Sequence, residues 1–302
     1  MHPCTRCPVL VCFIIILGDC LKARSYDEYT DDMARLKFFP LAAAAYCSTP
    51  QRCIMHKFGN ASVTLETYFS GKCDPDPNDS CAGFTAVLHD EKAIVLSFRG
   101  TMRFMQLVEE ANLSAFHEKV TGHSLGASMA SLAASYVIET QCINGSNVQL
   151  ITYGQPRTGD RAFAAAHNKQ ACQNLDYLFK LLFSYRVVHW RDIVPHIPME
   201  DFEGYWHHES EVFYPYNMRE GANFTICHGM FGLMGMSIND VIVVIVTADE
   251  SWRCSDGLFY DLSVYDHLHY FNIDVSKYGE SGCTGAAVAP PSTHFEFDLM
   301  LS

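Results

Sequence analysis

The stretch Gly122-His123-Ser124-Leu125-Gly126 decides the fold, and an alanine-rich segment follows it. A Gly-x-Ser-x-Gly sequence that opens a helix is typical of a nucleophile elbow, a sharp turn from strand to helix that exposes a serine hydroxyl. The serine backbone in such a turn is strained, and glycines flank it because larger side chains would collide with the neighbouring strand or helix. Three fixed positions also recur by chance, so the surrounding sequence has to support this interpretation.

Predicted strands and helices alternate on both sides of the motif. Upstream, residues 62–69 alternate in strand fashion, and residues 84–89 and 93–98 form a hairpin through residues 90–92. Residues 93–98 are apolar nearly throughout, as in a strand buried on both faces. Further strands are predicted at residues 148–153 and 185–190, and helices at 31–46, 106–111 and 161–169.

This alternation predicts a single α/β domain with a mostly parallel, doubly wound central sheet. Polar residues follow three of the strands, in Arg99-Gly100-Thr101, Gly154-Gln155-Pro156-Arg157 and Arg191-Asp192. In such sheets the functional site lies at the carboxyl edge of the strands. The sequence therefore places its chemistry at the edge where the serine motif begins.

A serine hydroxyl becomes a good nucleophile only when a histidine takes its proton and a carboxylate orients that histidine. In hydrolases with a nucleophile elbow the chain order is serine, acid, histidine. Asp192 follows a buried strand and is expected at the same edge as Ser124, whereas Asp160 is interpreted as the N-cap of the next helix. Residues alone leave His267 and His269 as close alternatives for the base.

The other downstream histidines fit the role of base less well. They are His196, His207, His208, His228 and His294. A zinc site at His207-His208-Glu209 is disfavoured because the two histidines lack the i, i+4 spacing of a helical metal motif. No metal or other cofactor is predicted.

Residues 1–23 combine Arg6, an apolar run and small or polar residues, which is typical of a secretory signal peptide. The run is too short to cross a bilayer. We therefore expect a secreted protein with residues 24–302 as its mature domain and no transmembrane span. A net charge of −13 repels phosphate backbones, which argues against a nucleic-acid partner. The oligomeric state does not follow from the sequence.

Nine of the 13 cysteines lie beyond the signal peptide, and in an exported chain most of them are expected to form disulfides. Cys73 and Cys81 bracket a short turn and are the first predicted pair. Candidate glycosylation sites fit the same compartment. They are Asn60, Asn78, Asn112, Asn144 and Asn223.

Five blocks in order resemble one known family. They are Ile94-Val95-Leu96-Ser97-Phe98-Arg99-Gly100-Thr101, Val120-Thr121-Gly122-His123-Ser124-Leu125-Gly126-Ala127, Tyr153-Gly154-Gln155-Pro156-Arg157, Tyr185-Arg186-Val187-Val188-His189-Trp190-Arg191-Asp192-Ile193-Val194-Pro195-His196-Ile197-Pro198 and Asp266-His267-Leu268-His269-Tyr270-Phe271. Together they resemble the class 3 (fungal-type) triacylglycerol lipases, in particular their secreted nematode members. The resemblance implies an α/β-hydrolase fold.

The resemblance also implies roles for individual residues. Ser124 would be the nucleophile, Asp192 the acid and His267 the base. Thr101 and the amide of Leu125 would form the oxyanion hole, which donates hydrogen bonds to the tetrahedral intermediate. The family further suggests disulfides between Cys47 and Cys283 and between Cys227 and Cys254.

Two segments depart from the family pattern. Residues 110–120 replace the lid and the long helix that relatives carry before the elbow, so the fold is predicted to lack both, and residues 117–121 are a short, polar segment for a central strand. Residues 229–248 add an apolar segment, which ends in the aggregation-prone run 241–246. We therefore expect the chain to aggregate.

The leading functional hypothesis is a secreted serine esterase that hydrolyses acylglycerols, of the triacylglycerol type, through an acyl-enzyme on Ser124. Its partner would be a lipid substrate or a lipid–water interface. The alternative hypothesis is a catalytically impaired, lipase-like protein, or truncated isoform, that binds lipid or a partner. The missing lid and helix motivate this alternative, because a loosely held triad loses rate steeply.

Overall fold

A mixed eight-stranded sheet organises the chain. The computed structural model describes residues 29–72, 80–100, 119–140, 145–170, 183–227, 253–257 and 262–285, and the backbone of residues 236–238 and 241–243. The strands are β1 (Val63–Gly71), β2 (Cys81–Leu88), β3 (Ala93–Phe98), β4 (Lys119–His123), β5 (Gln149–Tyr153), β6 (Gly159–Asp160), β7 (Phe183–His189), β8 (Tyr205–Trp206), β9 (Glu211–Tyr214), β10 (Thr225–Cys227), β11 (Met236–Ile238), β12 (Val241–Val243), β13 (His269–Tyr270) and β14 (Ile273–Asp274).

The helices are short except for the one that follows the serine motif. They are a π-helical segment (Met33–Phe38), α1 (Phe39–Ala44), α2 (Pro50–Phe58), α3 (Leu125–Glu139), α4 (Arg161–Gln170), α5 (Val264–Leu268) and α6 (Val275–Glu280). Single 3₁₀ turns lie at Gly145–Asn147, Val194–His196, Phe202–Gly204 and Ser255–Gly257.

The large sheet has the strand order β1-β2-β3-β4-β5-β7-β9-β10. Neighbouring strands from β3 to β9 run parallel, and β1, β2 and β10 pair antiparallel at the two edges. The predicted mostly parallel α/β sheet is confirmed. Strand order follows chain order throughout, so the sheet lacks the reversal of a doubly wound fold.

Apolar side chains cover both faces of this sheet. On one face α3 packs Ala130, Ala133 and Ala134 against strands β3, β4 and β5. The second face is covered by the π-helical segment, α1 and α6, with Phe39 and Leu41 in the larger core. Small residues on α3 let the helix approach the sheet closely, which sets the position of its first residue, Leu125.

Strand β4 is short, as predicted, and it still lies in the centre of the sheet. It pairs in parallel with β3 and with β5. Thr121 and His123 are buried with partners, and the Thr121 hydroxyl donates to the Ile151 carbonyl over 2.8 Å. Because a buried polar group with a partner avoids most of its desolvation cost, this polar sequence can form a central strand.

The predicted hairpin, the strands near 62–69, 148–153 and 185–190 and the helix at 161–169 are all present with shifts of a few residues. Helix α2 and strands β9 and β10 were not predicted. The predicted helix at 106–111 and the segment where a lid was predicted to be missing fall within residues 101–118, outside the described residues, as does the signal peptide.

The predicted Cys47–Cys283 disulfide is wrong. Cys283 bonds to Cys53, with the two Cα atoms 4.8 Å apart, and Cys47 is a buried free thiol. Cys53 lies on the buried face of α2, which turns it toward Cys283, while the Cys47 sulfur lies 3.3 Å from the Thr49 hydroxyl. An unpredicted helix therefore decides the pairing.

The predicted Cys227–Cys254 disulfide is present and closes a separation of 27 residues. The predicted partner of Cys81, Cys73, lies outside the described residues. Of the five candidate glycosylation sites, Asn60 and Asn223 are described and exposed, and Asn78, Asn112 and Asn144 are not described. Over the described ranges, no helix has the length and apolar character needed to span a bilayer.

Candidate active site

Ser124 occupies the turn between β4 and α3 in a strained backbone conformation, with φ 62° and ψ −134°. Its amide donates to the Tyr153 carbonyl of the neighbouring strand over 3.0 Å. A Cβ atom added to Gly122 would lie 2.2 Å from the Gly126 carbonyl oxygen, and one added to Gly126 would lie 2.4 Å from that of Phe98. Both motif glycines are therefore required by close backbone contacts, as expected for a nucleophile elbow.

The serine hydroxyl faces the imidazole of His267. Ser124 Oγ lies 3.0 Å from His267 Nε2, and His267 Nδ1 lies 3.0 Å from Asp192 Oδ1. Because Asp192 accepts at Nδ1, the neutral ring carries its proton there, and its free Nε2 can accept the serine proton. All three side chains are at most about 5% exposed.

Asp192 is held in place by three different groups. Its Oδ2 accepts a hydrogen bond from the Tyr270 hydroxyl over 2.6 Å, and its Oδ1 accepts the Val194 amide over 2.8 Å. Burial alone would raise the pKa of Asp192, but the charge and hydrogen bond of His267 and these two donors outweigh burial and lower that pKa. The carboxylate is therefore ionised and aimed at His267.

The structure separates the two histidines that residues alone left open. His269 Nδ1 lies 2.9 Å from the Tyr265 carbonyl and its ring stacks on Tyr265, so it does not reach Ser124. Asp160 accepts the Phe163 amide as a helix cap, as predicted. His267 and Asp192 are the pair that the fold brings to the serine.

The remaining described histidines of the downstream segment lie in other environments. His207 Nε2 contacts the Pro195 carbonyl, and His208 stacks on His167 with ring centroids 3.8 Å apart. Burial lowers the pKa of both His207 and His208 well below the usual value. Among the described residues no cluster of histidine, cysteine and carboxylate side chains has the arrangement of a metal site.

Comparison with known proteins identifies what this part of the chain resembles. The family model for class 3 lipases matches residues 112–202, which contain Ser124 and Asp192. A Caenorhabditis elegans lipase is 28% identical over 85% of this chain and 83% of its own. A Rhizomucor miehei lipase is 34% identical over 51% of this chain and 34% of its own. The segment that carries Ser124 and Asp192 is therefore similar to class 3 lipases.

Two solved lipase structures share the fold of this chain. A lipase from Rhizopus niveus aligns with a TM-score of 0.60 at 22% identity, over 82% of this chain and 97% of that one. A fungal lipase from Rhizopus microsporus also aligns with a TM-score of 0.60, at 23% identity over 82% and 90% of the two chains. The match to the class 3 lipase model and to lipase relatives supports a carboxylic ester hydrolase.

The structure describes the predicted oxyanion hole in part. Leu125 is the first residue of α3, so its amide has no acceptor within the helix. The helix N-terminus also carries a partial positive charge that favours an oxyanion. Thr101, the second predicted donor, lies outside the described residues, next to Gly100 at the end of β3.

Sequence reasoning did not single out Tyr270, whose hydroxyl donates to Asp192. Tyr270 follows His267 within the block Asp266-His267-Leu268-His269-Tyr270-Phe271, and its ring is fully buried. A tyrosine placed three residues after a candidate base is the signal that could have identified it. Burial, and next the charge of Asp192, raise the pKa of Tyr270 far above its usual value, so the phenol remains a donor.

Proposed function

We propose that the protein is a secreted serine esterase that hydrolyses acylglycerols of the triacylglycerol type. The observation that carries the proposal is the continuous path from Ser124 Oγ through His267 to Asp192, with both contacts at 3.0 Å. This combination of nucleophile, base and orienting acid on a strained elbow suits acyl transfer.

In the proposed reaction, His267 Nε2 takes the Ser124 proton as Oγ attacks the ester carbonyl. The resulting imidazolium then protonates the departing alcohol, which leaves an acyl group on Ser124. Water attacks this acyl-enzyme, His267 takes the water proton, and the fatty acid departs as Oγ regains a proton. The Leu125 amide and Thr101 would stabilise the oxyanion of both tetrahedral intermediates.

Ionised Asp192 supports this sequence of steps. Its carboxylate holds His267 in the tautomer whose Nε2 can accept a proton, and it stabilises the imidazolium that forms. Water is largely excluded around these groups, which strengthens each electrostatic contact. Both features favour charge development at the serine.

Exposed apolar side chains support a lipid surface as the source of substrate. Val264 and Leu268 flank His267 on α5 and are about two-fifths exposed. The Ile193 amide, next to Asp192, donates to the Ser263 carbonyl, which brings the Asp192 loop beside this helix. Ile193 and Ile197 pack against Leu125 and Val194, and Met199 and Phe202, further along the same loop, are more than half exposed.

The acidic residues near these exposed apolar side chains indicate which kind of lipid surface the protein would contact. Glu200, Asp201 and Glu203 alternate with Met199 and Phe202, and the whole chain carries a net charge of −13. Acidic groups repel an anionic membrane but not an emulsion of uncharged acylglycerol. The proposed surface therefore suits neutral lipid.

Export is supported by several features together. The Cys53–Cys283 and Cys227–Cys254 disulfides form and persist in oxidising compartments. Asn60 and Asn223, each within an Asn-x-Ser/Thr sequence, are accessible to modification. These features agree with the signal peptide expected at residues 1–23.

The test of the proposed chemistry is labelling with a fluorophosphonate probe, followed by turnover of a soluble short-chain ester. Wild type should be labelled, and Ser124→Ala should not. His267→Ala should lose at least roughly a thousandfold in kcat, while the matched variant His269→Ala should retain most activity. Equal labelling of wild type and Ser124→Ala would overturn the proposal, and lipid binding without any turnover would favour a non-catalytic protein.

A further inference from the structure

His123, the residue directly before Ser124, makes two short hydrogen bonds in the interior. Its Nδ1 lies 2.7 Å from the Tyr46 hydroxyl, and its Nε2 lies 2.7 Å from the backbone carbonyl oxygen of His267. The side chain is almost completely buried. His123 therefore joins the end of helix α1 to the segment that carries the proposed base.

The partners determine which nitrogen of His123 carries the proton. A carbonyl oxygen only accepts hydrogen bonds, so Nε2–H donates to His267. In the neutral ring Nδ1 is then the acceptor, and the Tyr46 O–H must donate to it. Burial, and next the charge of His267, lower the pKa of His123 to about 3, so the ring stays neutral at any pH where an esterase would work.

The two imidazoles are also in face-to-face contact. The ring centroids of His123 and His267 are 4.5 Å apart, with 24° between the ring planes. His123 thus contacts both the backbone and the ring of His267. A neutral ring in this position does not oppose the positive charge that His267 gains during acyl transfer, whereas a protonated one would.

We propose that His123 and Tyr46 are positioning residues for ester hydrolysis. Tyr46 donates a hydrogen bond to His123, His123 donates to the backbone of His267, and these two bonds hold His267 at hydrogen-bonding distance from Ser124. The proposal rests on the proposed function of the Ser124 site. Neither residue contacts the reacting atoms; both act through His267.

Tyr46 extends this chain of hydrogen bonds to the end of β3. Its hydroxyl also takes part in a backbone hydrogen bond with Gly100. A Cβ atom on Gly100 would lie 2.6 Å from that hydroxyl and 2.7 Å from Ser124 Cβ. Tyr46 therefore links three segments that meet around the serine: the end of β3, the elbow and the His267 segment.

Two substitutions at position 123 separate hydrogen bonding from ring packing. His123→Phe keeps an aromatic ring beside His267 but loses both hydrogen bonds, while His123→Gln places an amide N–H where Nε2–H donates. With a soluble ester we expect His123→Phe to lower kcat by about 10- to 100-fold, since errors of about 1 Å can cost about a hundredfold. KM should stay within about twofold. His123→Gln should recover kcat to within about threefold of wild type, and Tyr46→Phe should lose about tenfold.

His167→Phe is the matched control, because His167 is equally buried and bonded to two hydroxyls, those of Ser135 and Ser184, without contact with the triad. It should leave kcat of the folded protein within about twofold. Wild-type kcat in His123→Phe would overturn the proposal. Equal losses in His123→Phe, His123→Gln and His167→Phe would also overturn it, since that pattern indicates general loss of structure.

A second measurement does not depend on activity. Nitrogen-15 NMR of labelled histidine in Ser124→Ala should show His123 protonated at Nε2 and unprotonated at Nδ1, and Tyr46→Phe should move the Nδ1 resonance. A proton on Nδ1 of His123 would overturn the proposal even in an inactive protein. Absence of turnover and labelling in wild type, with the expected tautomer, would instead overturn only the proposed function.

Discussion

Gly154 lies against Asp192 with no space for a side chain between them. A Cβ atom on Gly154 would be 2.7 Å from Asp192 Oδ2 and 2.9 Å from His267 Nδ1. The residue also has φ +55°, a conformation that glycine adopts without strain and alanine does not. Gly154 directly follows strand β5, so the backbone at this edge of the sheet limits where Asp192 and His267 can lie.

Gly154→Ala is expected to abolish most esterase activity, because the new methyl group pushes Asp192 away from His267. We expect kcat to fall by about a hundredfold or more for a displacement near 1 Å. Stability should drop by about 1–3 kcal/mol from backbone strain. The measurements are kcat on a soluble ester and urea unfolding. Gly71→Ala, where an added Cβ has open space, is the control and should change neither; normal activity of Gly154→Ala would contradict the geometry described here.

Tyr270→Phe removes a hydrogen bond to the ionised Asp192 while preserving the ring. Loss of this donor should raise the pKa of Asp192 from its lowered value and cost about 1.5–3 kcal/mol. Stability from a lowered carboxyl pKa is present above the unfolded pKa and lost as pH falls through the folded pKa. The variant should therefore lose the most stability at neutral pH and differ less from wild type in strong acid.

The measurement for Tyr270 is urea unfolding at several pH values, together with kcat. Tyr278→Phe, a buried tyrosine that stacks on Phe39, provides a control for loss of a phenol elsewhere in the core. If Tyr270→Phe lowers the free energy of unfolding by the same amount at every pH, the hydrogen bond to Asp192 does not lower the pKa of that carboxyl, and the prediction is wrong.

The stacked His167–His208 pair predicts sensitivity to acid. Burial lowers the pKa of His167 to about 3 and that of His208 well below its usual value. Both rings stay neutral in the folded state, whereas the unfolded chain binds protons below about pH 6.5. Stability should therefore fall as pH decreases from about 6.5 toward 3, by up to about 1.4 kcal/mol per pH unit for each such histidine.

His167→Gln should reduce the slope of the free energy of unfolding against pH by the amount expected for one proton. The glutamine amide can still form hydrogen bonds with Ser135 and Ser184. Urea unfolding between pH 4 and 7 measures the slope. His89→Gln, on an exposed histidine, should leave the slope unchanged. If His167→Gln and wild type show the same slope, the buried ring does not titrate as described.

The Cys53–Cys283 pairing predicts a difference between two neighbouring cysteines. Cys53→Ser should cost about 4–5 kcal/mol, because the bond closes a separation of 230 residues and a long loop is the most restricted by a cross-link. Cys47→Ser should cost about 1 kcal/mol or less. Peptide mapping without reduction should recover Cys53 linked to Cys283; a Cys47–Cys283 peptide as the main product would refute the pairing.

The apolar segment at residues 229–248 is expected to promote aggregation and to be dispensable for folding. Strands β11 and β12 within it form a two-stranded sheet separate from the central one. Deleting residues 229–248, which lie inside the loop closed by Cys227 and Cys254, should lower light scattering and raise the secretion yield. Inserting a family-like segment after residue 110 as well should raise the secretion yield further. A monomeric, cooperative and fully active unmodified chain would contradict this prediction.

Contact with lipid predicts a selective loss on emulsions. Met199→Gln combined with Phe202→Gln should lower turnover of emulsified triacylglycerol about tenfold and leave kcat on a soluble ester unchanged. Tyr136→Gln is the control, since Tyr136 is similarly exposed but lies eleven residues beyond Leu125 along α3, about 16 Å from the elbow. Equal turnover of the emulsion by all three proteins would remove these residues from the proposed surface.

The sequence by itself determined the features that depend on neighbouring residues. The elbow, the hairpin and the strands around it follow from hydrophobic periodicity and from glycine spacing, which act over a few residues. The order of Ser124, Asp192 and His267 along the chain, read with the resemblance to class 3 lipases, was also sufficient to nominate the site. Local patterns suffice for Ser124 and Asp192 because each of them follows the end of a predicted strand.

Only the tertiary structure decided which residues meet across the fold. His267 lies in the short helix α5 and reaches Ser124, whereas His269 begins strand β13 and contacts the Tyr265 carbonyl instead. Cys53 rather than Cys47 reaches Cys283 because α2 buries one face. Tyr46 contacts His123 from 77 residues away along the chain. Gly154 and Tyr270 contact Asp192 from 38 and 78 residues away. Such contacts depend on how sheet and helices pack, and packing leaves no periodic signal in the chain.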